Sequence, residues 1–330
     1  MHLLDDIDLI KRIDTKNVYD QIIHYPQCVM IANEHIPFTQ RKPFKNDEFK
    51  SIVFINKNKC NTTRVFREVL KGEIEVINTD NFNANCLRKN TLVIYIDFDK
   101  ESIIRDDFLA TMEESKADVV MISSEVNKLD FEVNGFFFTT PNIPALLFPY
   151  LYTLVIKLLV MVKVLREEDK IIDKIVAALI TKAGAITRNQ PFDLNLAKHY
   201  AHYIHGRIPL IYYTQKLYRP LAGRLKNQIN RISKYPAFYS SYENMQMYEM
   251  GVWERELLNE NYIPIIISKL CFTTPERDDF KELLTQKGVN FLDIYGEHDN
   301  PLVDFAGLVY FVDMISFYLA MLGQNDPIES

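Results

Sequence analysis

Residues 51–78 read SIVFINKNKCNTTRVFREVLKGEIEVIN, and this stretch decides the fold. SIVFIN (51–56) is a short apolar run of strand type. A polar loop follows, then TRVFREVLKG (63–72), which reads as a helix closed by Gly72, and then a second strand, EIEVIN (73–78). Short strands that are apolar throughout, separated by a helix, belong to parallel sheets covered on both faces. The pattern continues outward with strands TLVIYID (91–97), ADVVMIS (117–123) and GFFFTT (135–140), and a helix at about 102–115. A long helical stretch, about 149–184, separates this half from a second one. There RIPLIYYT (207–214), IPIIIS (263–268) and VNFLDIYG (289–296) read as strands, with helices at 218–233, 275–287 and 308–323, the last capped by Gly323. The first forty residues read as amphipathic helices. The expectation is an α/β chain of two halves, each a parallel sheet with helices on both faces in three layers. Its divisions are 1–40, a helical segment; 41–148, the first half; 149–190, linking helices; and 191–330, the second half.

Composition removes several function classes. Only 10 of the 330 residues are Gly, and none precedes Gly72. No G-x-G-x-x-G and no G-x-x-x-x-G-K-[ST] occurs, which excludes the usual dinucleotide and Walker loops. Net charge is −6 with both signs interspersed, so no basic stripe marks a nucleic-acid partner. Cys28, Cys60, Cys86 and Cys271 form no C-x-x-C pair, and no leader pattern precedes them. They read as free thiols of a cytoplasmic protein. Residues 143–165, IPALLFPYLYTLVIKLLVMVKVL, are apolar but carry Lys157 and Lys163. They read as a buried helix that starts near Pro149 and snorkels its lysines to solvent, not as a membrane span.

Three clusters invite a chemical reading. Lys57, Lys59 and Arg64 flank a helix start with Asn61 or Thr62 as its cap; they form either an anion site or a solvated loop. Asp97-x-Asp99-x-Glu101 at a strand end suits either a divalent cation or a polar helix-capping loop; no metal is expected there. His199, His202 and His205 are spaced by three, unlike the H-E-x-x-H of zinc proteases, and read as non-metal residues. Glu249 is a candidate acid, and His298 sits in GEHDNPL at a strand end, where clefts form in such sheets.

Four stretches together carry a resemblance: IDTKNVYDQIIHYPQ (13–27), QINRISKYPAF (228–238), YEMGVWE (248–254) and GLVYFVDMISFYLAMLGQNDP (307–327). The chain resembles the bifunctional phosphoglucose/phosphomannose isomerases of the sugar isomerase (SIS) class, a mostly archaeal family. The corresponding family text is Q-L-N-E-N-S-K-x-P-A-F, H-N-E-x-x-G-W-E and L-V-Y-x-x-D-x-x-S-x-Y-L-A-x-L-x-x-x-D-P. The resemblance implies two SIS-like subdomains and a homodimer. It also implies aldose–ketose isomerisation of a sugar 6-phosphate by a Glu base and a ring-opening His, without a cofactor, and loop amides that cradle the phosphate.

Carried over residue by residue, the resemblance implies a changed site. The family loop G-M-G-G-S-A falls on Ile55 to Cys60, including Lys57 and Lys59. The loop S-Y-S-G-N-T-E falls on Asp97 to Ile103, including Asp99, and I-T-S-G-G falls on Ile122 to Val126, including Ser123 and Ser124. The Arg of the family's P-R pair becomes Ala145. The base position falls on Arg231 and the His of H-N-E on Met247, whereas Asn230, Ser233, Lys234, Glu249 and Glu254 match. The family's active-site Lys beyond D-P has no counterpart up to Ser330. A guanidinium, with a pKa above ~12, does not abstract protons at neutral pH, and a thioether cannot shuttle one. The expected function is therefore a homologue without isomerase catalysis that binds a sugar phosphate or other small anion. The alternatives are an active isomerase rebuilt around Lys57, Arg231, Glu249 and His298, or a structural partner of an intact paralogue.

Overall fold

A computed structural model describes residues 2–57, 61–80, 87–98, 111, 114–124, 133–139, 147–253, 260–270 and 275–327. The described helices of six or more residues are α1 (Ile7–Ile13), α2 (Val18–Ile23), α3 (Tyr25–His35), α4 (Arg64–Val69), α5 (Phe148–Met161), α6 (Ile171–Ile186), α7 (Leu196–Ile204), α8 (Arg219–Gln228), α9 (Pro275–Gln286) and α10 (Pro301–Leu322). The strands are β1 (Ser51–Asn56), β2 (Glu75–Thr79), β3 (Thr91–Asp97), β4 (Asp118–Ser124), β5 (Asn134–Phe138), β6 (Ile208–Tyr213), β7 (Phe238–Ser241), β8 (Tyr262–Lys269) and β9 (Leu292–Gly296). The chain forms two compact units: Gln27–Asp173, and Met1–Pro26 together with Lys174–Ser330.

The unit Gln27–Asp173 holds a five-stranded sheet of order β2-β1-β3-β4-β5, every named pair parallel. Alternation along β1 explains its two covered faces. Phe54 turns to one face and stacks on Phe66 of α4, which meets Tyr152 of α5. Val53 and Ile55 turn to the other face and pack with Val93, Tyr95 and Met121. α5 is the buried helix expected from its composition. Its Lys157, however, does not reach for solvent. The ammonium donates to the carbonyls of Asn33 (2.6 Å) and Ile36 (3.0 Å), because the end of α3 leaves acceptors that need partners. The expected cap of α4 also differs. A 3-10 turn, Asn61–Thr63, precedes it, no side chain caps it, and the Thr63 hydroxyl donates to Asn78 of β2 instead (2.7 Å). The helix expected at 102–115 lies almost wholly outside the described residues.

The other unit holds a four-stranded parallel sheet of order β7-β6-β8-β9. On one face Phe280 of α9 meets the rings of Tyr212, Tyr242 and Trp253. α10 packs against α7 and α8. It is long and apolar enough to cross a membrane, yet 94 % of its most apolar window is buried inside the protein. It begins seven residues before the expected start, because Asn300 caps it by accepting from Leu302 and Val303 N–H (2.9 and 3.3 Å), with Pro301 at the position where a missing N–H is harmless. Its buried Asp313 accepts from Arg224 Nε (2.8 Å) and Nη2 (2.6 Å), Tyr25 Oη (2.6 Å) and Gln228 Nε2 (3.1 Å). Burial, then the Asp313 charge, pushes the Tyr25 hydroxyl well above the usual tyrosine range.

Asp304, in the first turn of α10, ties the end of β9. One oxygen accepts from Glu297 and His298 N–H (2.7 and 2.9 Å), the other from Tyr218 Oη (2.9 Å). Only glycine fits at position 296, where a Cβ would lie 2.1 Å from the Asp304 carboxylate and 2.2 Å from the Tyr218 hydroxyl. Gly296→Ala is expected to lose about 1–3 kcal/mol in urea unfolding, as overpacked sites do. Gly184→Ala, on exposed helix where a Cβ meets nothing, is expected to gain up to about 1 kcal/mol. Equal effects at the two positions would contradict the close-approach reading.

Candidate functional site

In a parallel sheet, ligands gather at the carboxyl ends of the strands where successive connections leave in opposite directions. In the unit Gln27–Asp173 the strand order places that point between β1 and β3. Asn56 ends β1 and Lys57 follows it, Asp97 ends β3, and Ser123 and Ser124 end β4 beside it. Neighbouring strands lie about 4.8 Å apart, so these residues form a polar rim along the carboxyl-terminal edge of the sheet, with Ser123 and Ser124 turned to opposite faces. Lys57 is exposed and its N–H donates to Ile96 O (3.1 Å). Asp97 has no exposed surface; its carboxylate accepts from Tyr95 Oη (3.3 Å), and its carbonyl accepts from Ser123 Oγ (2.7 Å). The Ser124 hydroxyl is buried and has no hydrogen-bond partner among the described residues. A buried hydroxyl without a partner is uncommon and marks a place where another group can bond. Lys59, Asp99 and Glu101 lie outside the described residues.

In the second sheet, the turn that carries Arg231 and the loop that carries His298 meet α10 at different places. α8 runs on into a π-turn, Ile229–Ser233, which carries Arg231 on its exposed side. Lys234 follows at φ +60° and is also exposed. The buried Ser233 hydroxyl donates to Ser316 O (2.7 Å), and Ser233 O accepts from Asn325 (3.0 Å). His298 bonds instead to Asp304, twelve residues earlier on α10 than Ser316. At 1.5 Å per residue the two regions are about 18 Å apart. Met247 is 70 % exposed on a second π-turn, Met245–Glu249. Glu249 accepts from Tyr212 Oη (2.8 Å) of β6; burial, followed by this bond and the Glu249 charge, drives that hydroxyl above the range in which it could ionise. Glu254 lies outside the described residues.

His298 lines a cleft of about 730 Å³ with Lys174, Thr181, Lys182, Asn300 and Val303. Lys182 is paired with Glu297 at 3.1 Å, and the N–H groups around the start of α10 are taken by Asn300 and Asp304. Among the described residues, no three His, Cys, Asp or Glu side chains are placed to hold a metal ion. His199 and His202 instead surround the ring of Phe192. Sequence reasoning placed Asn56 within a family loop without singling it out at the rim, and it missed the Tyr218–Asp304–Gly296 contact. A strand-ending Asn was a visible signal for the first; the second joins residues 86 apart and left none.

Residues 193–330 match the family model described as the bacterial phospho-glucose isomerase C-terminal SIS domain. The bifunctional phosphoglucose/phosphomannose isomerase of Aquifex aeolicus (strain VF5) is 31 % identical over 134 residues, 40 % of this chain and 42 % of that one, so the match spans less than half of that relative. The protein of the same description from Caldicellulosiruptor bescii is 26 % identical over 277 residues, 76 % of this chain and 77 % of that one. A glucose-6-phosphate isomerase like protein from Thermus thermophilus shares the fold, with a TM-score of 0.61 at 17 % identity, covering 99 % of this chain and 95 % of that one. Together the matches support, at low identity, the family suggested by the sequence.

The two rim serines separate a structural hydroxyl from an available one. In ligand-free protein, Ser123→Ala should lose about 1 kcal/mol with its bond to Asp97 O, whereas Ser124→Ala should be neutral or slightly stabilising. Urea unfolding of both variants checks this; a larger loss at Ser124 would mean that its hydroxyl is already bonded.

Proposed function

We propose that this SIS-fold relative of the bifunctional phosphoglucose/phosphomannose isomerases binds a sugar phosphate or similar small anion without isomerising it. The role would be binding or regulation, in the cytoplasm and as a homodimer. The observation that carries the reading is the state of the family's proton-transfer positions. Arg231 is an exposed guanidinium on a π-turn and Met247 an exposed thioether; neither can act as a base or shuttle a proton at neutral pH. Glu249, the acid retained nearby, is held by Tyr212. General base catalysis is worth ~10²–10⁴-fold in rate, and two positions for proton transfer have changed at once.

Binding has a different support. The rim of Lys57, Asp97, Ser123 and Ser124 stands where parallel sheets take ligands, and the Ser124 hydroxyl is available to a ligand oxygen. Lys59 and Asp99 extend the same two loops in sequence, while Lys234 and His298 would serve as anion contacts on the other unit. Among the described residues, Cys28 is a free, half-buried thiol, pushed up by burial, which accords with a reducing compartment.

Ligand that binds only the native state raises its stability by about 2.7 kcal/mol at a hundred times Kd. Fructose 6-phosphate, glucose 6-phosphate or mannose 6-phosphate at millimolar concentration is expected to raise Tm by a few degrees, and Ser124→Val to reduce the rise. No shift with any of the three, in protein that melts cooperatively, would contradict the binding proposal.

A further inference from the structure

His2, near the start of the chain, forms a cluster with two histidines of α7 that the proposed function does not use. The imidazole of His2 stacks on Phe192 with centroids 3.7 Å apart and planes at 19°. It meets His202 edge-on at 5.3 Å. Phe192 also lies 4.3 Å from His199 and 5.5 Å from His202. Three imidazoles therefore surround one apolar ring.

The hydrogen bonding fixes the protonation state of one of them. His2 Nδ1 accepts from Leu4 N–H at 3.2 Å and so caps the 3-10 turn Leu3–Asp5. A backbone N–H can only donate, so Nδ1 must carry a lone pair; an imidazolium, with a proton on both nitrogens, cannot make this bond. The capped turn delivers Asp5 to the other side of the contact. Asp5 accepts from Lys198 Nζ (2.8 Å) and Phe192 N–H (2.9 Å). The Lys198 side chain has no exposed surface, and its other acceptors are the carbonyls of Arg188 (3.0 Å) and Gln190 (2.7 Å). The neutral form of His2 is thus coupled to the placement of the counter-ion of a buried lysine.

We infer that His2 is a pH-operated latch: neutral, it fastens residues 2–5 against α7; protonated, it drops the Leu4 bond, repels His202 and frees the segment. The surrounding charges agree in direction. Burial contributes most to holding the His2 pKa below its usual 6.5; His202, Lys198 and His199 on α7 add to this, and only Asp5, on its own segment, opposes it. His205, at the end of α7, is likewise lowered, by burial and then by His202. Because His2 is harder to protonate in the folded segment than in the released one, the latch is fully closed above the ordinary histidine pKa and loosens as pH falls through it.

Hydrogen exchange read by mass spectrometry on the full chain, corrected for intrinsic exchange rates, tests the latch. Protection of amides in residues 3–13 should fall several-fold between pH 7.5 and 5.5, because the released segment binds the proton more readily than the folded one, while protection of β3 stays constant. His2→Asn keeps a capping acceptor but cannot titrate, and its protection should not change with pH. If that variant leaves the segment open at every pH, His202→Gln decides, since removing the second charge should reduce the loss seen in the unsubstituted protein. Constant protection in the unsubstituted chain would overturn the inference. So would an undiminished pH dependence in His2→Asn, or, where His202→Gln decides, in that variant.

Discussion

Asp313 carries a carboxylate in the middle of a helix that is buried on all sides, and the surrounding unit is arranged to satisfy it. Removing one partner from such a buried pair costs about 3–5 kcal/mol, because the remaining charge has nowhere to go. The donors come from two places in the chain: Tyr25 near the start of α3, and Arg224 and Gln228 one helical turn apart on α8. α10 can therefore be covered by apolar side chains everywhere else only if these segments stand beside it. Asp304 imposes a similar condition at the head of the same helix, where it requires Gly296 at the end of β9 and Tyr218 before α8. Lys198 does so through Asp5. Each buried charge selects the neighbours of its element, and together they fold the first residues of the chain into the same unit as the last.

These groups hold the scaffold independently of the positions where the site is proposed to have changed. Asp304, Asp313 and Ser233 are used up by internal bonds, and substituting them would damage packing. Arg231 and Met247 are exposed, and neither side chain belongs to the buried networks seen among the described residues. The rim at the ends of β1, β3 and β4 lies between these extremes. Ser123 is bonded within the sheet, and Ser124 is buried without a partner among the described residues. A fold maintained by its buried charges tolerates replacement of exposed catalytic groups, and this is the physical basis for the proposed loss of isomerase chemistry with binding retained.

Much of the architecture was legible because parallel strands buried on both faces leave a plain trace: β1, β3, β4, β6 and β8 each read as a short apolar run. β7 was not legible. Phe238 and Tyr239 are exposed on an edge strand that ends in two serines, so it has neither a continuous apolar run nor alternation. The break between α5 and α6 was missed because Lys163 and Lys170 adopt the left-handed conformation there, a role usually signalled by glycine or asparagine. Lys157 read as a snorkelling residue because its acceptors, on α3, are more than 120 residues away. The rim was partly legible, since Lys57, Asp97 and the two serines follow apolar runs directly. The separation of the Arg231 and His298 regions was not legible, because it depends on where the turn Ile229–Ser233 and the loop after β9 each pack against α10.

The central claim is that the fold of a sugar-phosphate isomerase has been kept while its proton-transfer chemistry has been lost. The most direct measurement is turnover of purified protein with fructose 6-phosphate, following glucose 6-phosphate and mannose 6-phosphate as products. The account predicts no formation of either above the uncatalysed background. Interconversion at about 1 s⁻¹ or faster, within the ordinary range of enzyme turnover, would contradict it.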